Sequence, residues 1–127
     1  EIYRCDWSSD VCSSDLLSIR DVLSQAGWGP NSPRYVVLHQ ANRMINDTIR
    51  KKLGFGEAVA LCSLTRFGNT SSASIPLTLC HAREDIELPA KAILSGFGVG
   101  LSWGSVALTL PPRMALGWVE TDSVYPS

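Results

Sequence analysis

Tyr35-Val36-Val37-Leu38-His39-Gln40-Ala41-Asn42 is the stretch on which the fold turns. Its first four residues form a continuous apolar run, the pattern of a strand buried on both faces. His39 stands at the carboxyl end of that strand. The spacing then predicts a helix over residues 41–53, with Ile45, Ile49 and Leu53 stacked at intervals of four and Gly54 as its C-cap. A doubly buried strand running straight into an amphipathic helix is the repeating step of an α/β domain.

Working outward, residues 17–26 carry Ile19, Val22, Leu23 and Ala26 at helical spacing and stop at Gly27. A loop of turn formers over 27–33 leads into the first strand. On the other side a second strand is expected within 59–64, then the Phe67-Gly68-Asn69 turn and a helix over about 72–83. Pro76 falls inside that helix, so it must start late or bend. Strands over 92–95 and 105–110 flank a glycine-rich turn. The order is βαβαββ, an α/β sheet covered by helices.

Composition narrows the function classes. The 127 residues are 45% hydrophobic and 18% charged with a formal charge of −1, which describes one globular unit and argues against a nucleic-acid binder. Cys5, Cys12, Cys62 and Cys80 form no C-x-x-C pair, and the two histidines, His39 and His81, stand far from the first two cysteines, so no metal site is expected. No basic patch followed by an apolar signal segment opens the sequence, and reduced thiols in the cytoplasm are the expectation. The uncharged run over 92–110 has the length of a membrane span. It carries Gly96, Gly98, Gly100 and Gly104, each costing about 1 kcal/mol relative to alanine in a helix, and two buried strands suit it better.

Residues 1–16 read differently. Ser-Ser-Asp recurs in Asp6-Trp7-Ser8-Ser9-Asp10-Val11-Cys12-Ser13-Ser14-Asp15-Leu16, with no helical or strand period. This stretch resembles the conceptual translation of a sequencing adaptor, and it is set aside as a non-native leader. Without Arg4, Glu1, Asp6, Asp10 and Asp15 the formal charge becomes about +2. The domain proper is expected over 17–110, with a surface tail of weak periodicity over 111–127.

Open α/β sheets bind ligands outside the carboxyl ends of their strands, which makes His39 a candidate. Taken alone, a lone histidine is more often a hydrogen-bonded structural residue than a catalyst. Asn69, before a helix, reads by itself first as a turn residue. The segment Gly96-Phe97-Gly98-Val99-Gly100-Leu101-Ser102-Trp103-Gly104 departs from G-x-G-x-x-G and precedes a strand, which speaks against dinucleotide binding. Cys80, in an apolar helical run, reads as a buried structural thiol.

Four segments taken together carry a resemblance: Val37-Leu38-His39-Gln40-Ala41-Asn42, Lys51-Lys52-Leu53-Gly54, Gly68-Asn69-Thr70-Ser71-Ser72-Ala73-Ser74-Ile75-Pro76, and Gly96 through Ser105. Their order and spacing resemble the carboxy-terminal part of β-ketoacyl-acyl-carrier-protein synthase III, over about residues 17–110. The resemblance implies a thiolase-like carboxy-terminal half and a Cys-His-Asn site for decarboxylative Claisen condensation. Its substrates would be a coenzyme A thioester and malonyl-acyl carrier protein, with no cofactor. His39 and Asn69 would be the catalytic donors to the enolate oxygen. The backbone N–H of Val99 would serve the second oxyanion, where many relatives have glycine. Asn42 matches a substrate-binding position near the pantetheine arm. Lys51 and Lys52 match a surface that docks acyl carrier protein, and Arg43 lies one position from the family's arginine, whose place Met44 holds.

The nucleophilic cysteine of that family belongs to the amino-terminal half, and no residue before His39 has its setting. The resemblance therefore implies a truncated acyltransferase, inactive as it stands, whose full-length form is a homodimer acting without membrane or nucleic acid. A chain cut in this way would leave an apolar face exposed. The alternative is a non-catalytic interaction or assembly subunit on the same fold.

Overall fold

The computed structural model describes residues 7–56, 58–98 and 102–121. Helix α1 (Trp7–Gln25) leads to strand β1 (Tyr35–Leu38), helix α2 (Arg43–Leu53), strand β2 (Val59–Leu61) and a short helix α3 (Leu64–Phe67). A 3-10 turn (Ser71–Ala73), helix α4 (Ser74–His81) and strands β3 (Ala90–Gly98) and β4 (Ser102–Leu110) complete the order. The strands form one mixed sheet in the order β2-β1-β3-β4. β1 is parallel to both β2 and β3, and β3 pairs antiparallel with β4.

The period of two along β1 sorts its residues between two cores. Val36 and Leu38 join Leu16, Ile19, Leu23, Ile49, Leu53 and Ile93 under α1 and α2. Tyr35 and Val37 join Leu61, Ala82, Ile86, Ala92 and Leu110 on the α4 side. All four β1 residues are buried, as a strand covered on both faces requires.

Capping chemistry sets the helix limits. α2 starts two residues later than the spacing predicts, because the Asn42 side chain accepts from the Met44 N–H at 2.8 Å and makes Asn42 the N-cap. It ends at Gly54, whose φ of 67° gives the left-handed cap expected there. Helix α4 does start late: Pro76 falls in its first turn, where the missing N–H breaks no intrahelical bond.

Four expectations are corrected. The stretch set aside as having no helical period is helical from Trp7, and α1 runs without a break through residues 16 and 17. Leu16 and Asp15 are buried in it, so tertiary packing overrides the weak pattern. β3 and β4 reach further into the glycine segment than 92–95 and 105–110, because Gly96 pairs with Gly104 and Phe97 with Trp103. The tail leaves the sheet without regular structure, yet Met114 and Leu116 pack against the second core. Cys80 is half-buried, and its Sγ–H donates to the Gly117 carbonyl of that tail at 3.3 Å.

Among the described residues no helix is long and apolar enough to cross a membrane, and the run over 92–110 holds the β3–β4 pair instead. Leu17 on α1 and Trp103 and Val106 on β4 are exposed.

Candidate active site

The site is built at the carboxyl end of β1. The His39 N–H still joins the ladder, donating to the Ser95 carbonyl at 2.8 Å, and the chain then leaves the sheet. Gln40 is wholly buried at that exit. Its amide nitrogen donates to the Leu38 carbonyl at 2.7 Å and its oxygen accepts from the Ser63 N–H at 3.2 Å. A buried amide satisfied at both ends fixes the turn on which His39 stands.

Asn69 reaches the same place from the far side. Gly68 has φ 67° and ψ −155°, a backbone region essentially reserved for glycine, which turns the chain sharply after α3. The Asn69 Oδ1 then accepts from the Ser71 N–H at 2.9 Å, holding Ser71 at a positive φ of 54°. With Oδ1 engaged, the side-chain NH2 remains as the donor.

His39 and Asn69 line one cleft of about 640 Å³, together with Ser74, Ile75, Gly96, Phe97 and Trp103 among others. The His39 Nδ1 lies 2.7 Å from the Ser74 Oγ, and its ring meets Phe97 edge to face with centroids 5.1 Å apart. Burial pushes the imidazole below its ordinary pKa, which favours the neutral ring. A neutral imidazole keeps one N–H and can donate it without carrying charge into the cleft.

The other candidate residues divide. Val99 lies outside the described residues, while Gly98 and Ser102 on either side of that gap line the cleft. Asn42 caps α2 and does not line it. Lys51 and Lys52 are exposed in the last turn of α2, where the helix dipole favours cations. Arg43 is exposed at the start of the same helix and lines a separate cleft with Asp47 and Arg50. Met44, in the place of the family's arginine, is 67% exposed. Among the described residues no three His, Cys, Asp or Glu side chains gather as a metal site would need. Sequence reasoning missed the Ser74 and Phe97 contacts on His39, although both residues stand inside the motif segments. Hydroxyl and ring partners so distant in sequence leave no periodic signal.

This α/β layer, with a histidine and an asparagine amide at one cleft beyond its strand ends, has the thiolase-like fold of the solved structures it superposes on. Residues 23–110 match the family described as 3-oxoacyl-[acyl-carrier-protein (ACP)] synthase III C terminal. The chain is 38% identical over 97 residues to the β-ketoacyl-[acyl-carrier-protein] synthase III of Streptococcus equi subsp. zooepidemicus, covering 73% of this chain and 30% of that protein. The crystal structure of 3-oxoacyl-(acyl carrier protein) synthase III from Pseudomonas aeruginosa superposes with a TM-score of 0.75 at 35% identity, over 79% of this chain and 31% of that one. The 3-oxoacyl-(acyl-carrier protein) synthase from Burkholderia xenovorans gives a TM-score of 0.82 at 30% identity, over 90% and 33%. The chain therefore belongs to the 3-oxoacyl-[acyl-carrier-protein] synthase III family, as its carboxy-terminal part. It spans about a third of the length of the relatives it matches.

Proposed function

We propose that this chain supplies the enolate-stabilising half of a condensing site that joins an acyl thioester to malonyl-acyl carrier protein. The observation that carries this reading is the shared cleft of His39 and Asn69, with Nδ1 and Oδ1 engaged by Ser74 and Ser71. That engagement leaves Nε2 of the ring and Nδ2 of the amide for a substrate oxygen.

In this reading the malonyl thioester loses carbon dioxide, and the electron pair of the broken C–C bond moves into an enolate. His39 and Asn69 hold the enolate oxygen, both as neutral donors already in place before charge develops. The enolate carbon attacks the acyl carbonyl on the nucleophilic cysteine contributed by the rest of the enzyme, and the cysteine thiolate leaves. The Val99 N–H would hold the oxygen of that second tetrahedral centre. Asn42 would meet the pantetheine arm, and Arg43, Lys51 and Lys52 would dock the acidic carrier protein. Acyl-coenzyme A is the acyl donor, no cofactor takes part, and the full-length enzyme works as a homodimer in the cytoplasm.

The test is a graft. Residues 17–110 replace the matching segment of the Pseudomonas aeruginosa enzyme, and carbon dioxide release is followed separately from acyl transfer to the cysteine. His39→Ala in the graft is expected to slow decarboxylation on the order of 100-fold while sparing acyl transfer. Equal loss of both steps sinks the assigned role. A well-folded graft with no turnover favours the interaction-subunit alternative.

A further inference from the structure

We propose that Ser74 is a positioning residue that fixes the tautomer of His39, its Oγ–H donating to Nδ1 so that the ring's N–H stands on Nε2, where a substrate oxygen would meet it. This rests on the condensing-site reading above and adds to it the residue that orients the donor.

A buried chain of polar groups leads to Ser74, and its hydroxyl protons can be placed one by one. Thr78 Oγ1 donates its only proton to the Ser74 carbonyl at 2.6 Å, one turn back along α4. Ser63 Oγ lies 2.7 Å from that same Thr78 oxygen, so Ser63 must be the donor of the pair. The Ser63 N–H goes to Gln40 Oε1, and one N–H of the Gln40 amide goes to the Leu38 carbonyl. Gln40 and Thr78 have no exposed surface, and Ser63 and Ser74 are each 1% exposed. The hydroxyl protons of Thr78 and Ser63 are thereby assigned.

Ser74 itself has one hydroxyl proton, and the His39 Nδ1 at 2.7 Å is the acceptor within its reach among the described residues. Were Nδ1 to carry the proton and donate to Oγ, the serine O–H would be left without an acceptor in a dry site, which native structures avoid. The hydroxyl therefore points at the ring. Neutral imidazole has a single N–H, so occupying Nδ1 as acceptor places it on Nε2. The chain also ties both sides of the cleft together: Gln40 belongs to the turn carrying His39, and Ser74 opens the helix that follows Asn69.

The test reads protonation directly, by long-range 1H–15N correlation on the 127-residue chain labelled at histidine, with His39→Gln used to assign the signal. Wild type is expected to show the Nε2–H form alone above neutral pH. Ser74→Ala should lower the ratio of Nε2–H to Nδ1–H about fivefold, the worth of one neutral hydrogen bond, and Ser74→Thr, which keeps the hydroxyl, should restore it. A proton on Nδ1 in the wild type overturns the inference, as does an unchanged ratio in Ser74→Ala. The wild-type spectrum decides the matter even if Ser74→Ala fails to fold. The two readings fail separately: an inactive graft with Nε2–H intact removes the condensing role, whereas an active graft with Nδ1–H removes Ser74.

Discussion

Two buried polar regions lie in this one small sheet domain, and they are opposites. On the α4 side, Gln40, Ser63, Thr78 and Ser74 pass hydrogen bonds from one to the next. Under α1, Asp15 is 1% exposed and has a single weak partner, the Ser95 hydroxyl at 3.4 Å, while its second oxygen has none. Burial costs both regions their water. The first recovers far more of it, and that region carries the candidate site. A buried polar group organises its surroundings when its capacity is filled and works against the fold when it is not.

The comparison is sharpest in pH. Burial pushes the Asp15 carboxyl up from 3.8 to about 6, so the folded chain holds this proton more tightly than the unfolded one. The stability that protonation gives is fully present below about pH 4 and is lost as pH rises through 6. Above that, ionised Asp15 is expected to cost roughly 3 kcal/mol relative to its protonated form. Asp15→Asn should flatten this part of the pH profile in urea unfolding and raise stability at pH 7.5. A profile that does not change on substitution would place the carboxylate in contact with water or a cation.

A smaller effect is expected from cutting the satisfied chain. Thr78→Val keeps the shape and removes the hydroxyl, leaving the Ser63 proton without its acceptor, at a cost of about 1–3 kcal/mol in the same assay. Loss below about 0.5 kcal/mol would mean that the network rearranges freely, and the contrast with Asp15 would weaken. The baseline is the exposed pair of Arg34 and Glu87, 3.2 Å apart with side chains 51% and 81% exposed. Arg34→Ala is expected to change stability by no more than about 1 kcal/mol, and less in high salt.

How much of this was legible in the sequence follows from where the information lies. β1 announced itself because four consecutive apolar residues have few alternatives, and α2 because Ile45, Ile49 and Leu53 repeat on one face ahead of a glycine cap. The late start of α4 could be read from Pro76 alone. By contrast, α1 begins at Trp7 in a stretch with no periodic signal, and the continuation of β3 and β4 through Gly96 and Gly104 is decided by pairing that overrides glycine's preference for turns. His39 and Asn69 were individually ordinary residues, singled out by the motif segments around them. The Ser74 hydroxyl bond to His39 joins residues 35 positions apart, and only the folded chain displays it.

The parallel pairing of β1 with β3 sets Tyr35 opposite Ala92 and Leu38 opposite Ser95, with α2, β2, α3 and α4 all lying between them in the chain. Closing so long a loop is slow, because its entropy must be lost before any contact rewards it. The histidine corner therefore closes only once β3 is available to pair with β1. Formation of the cleft is thereby tied to the long-range pairing of β1 with β3.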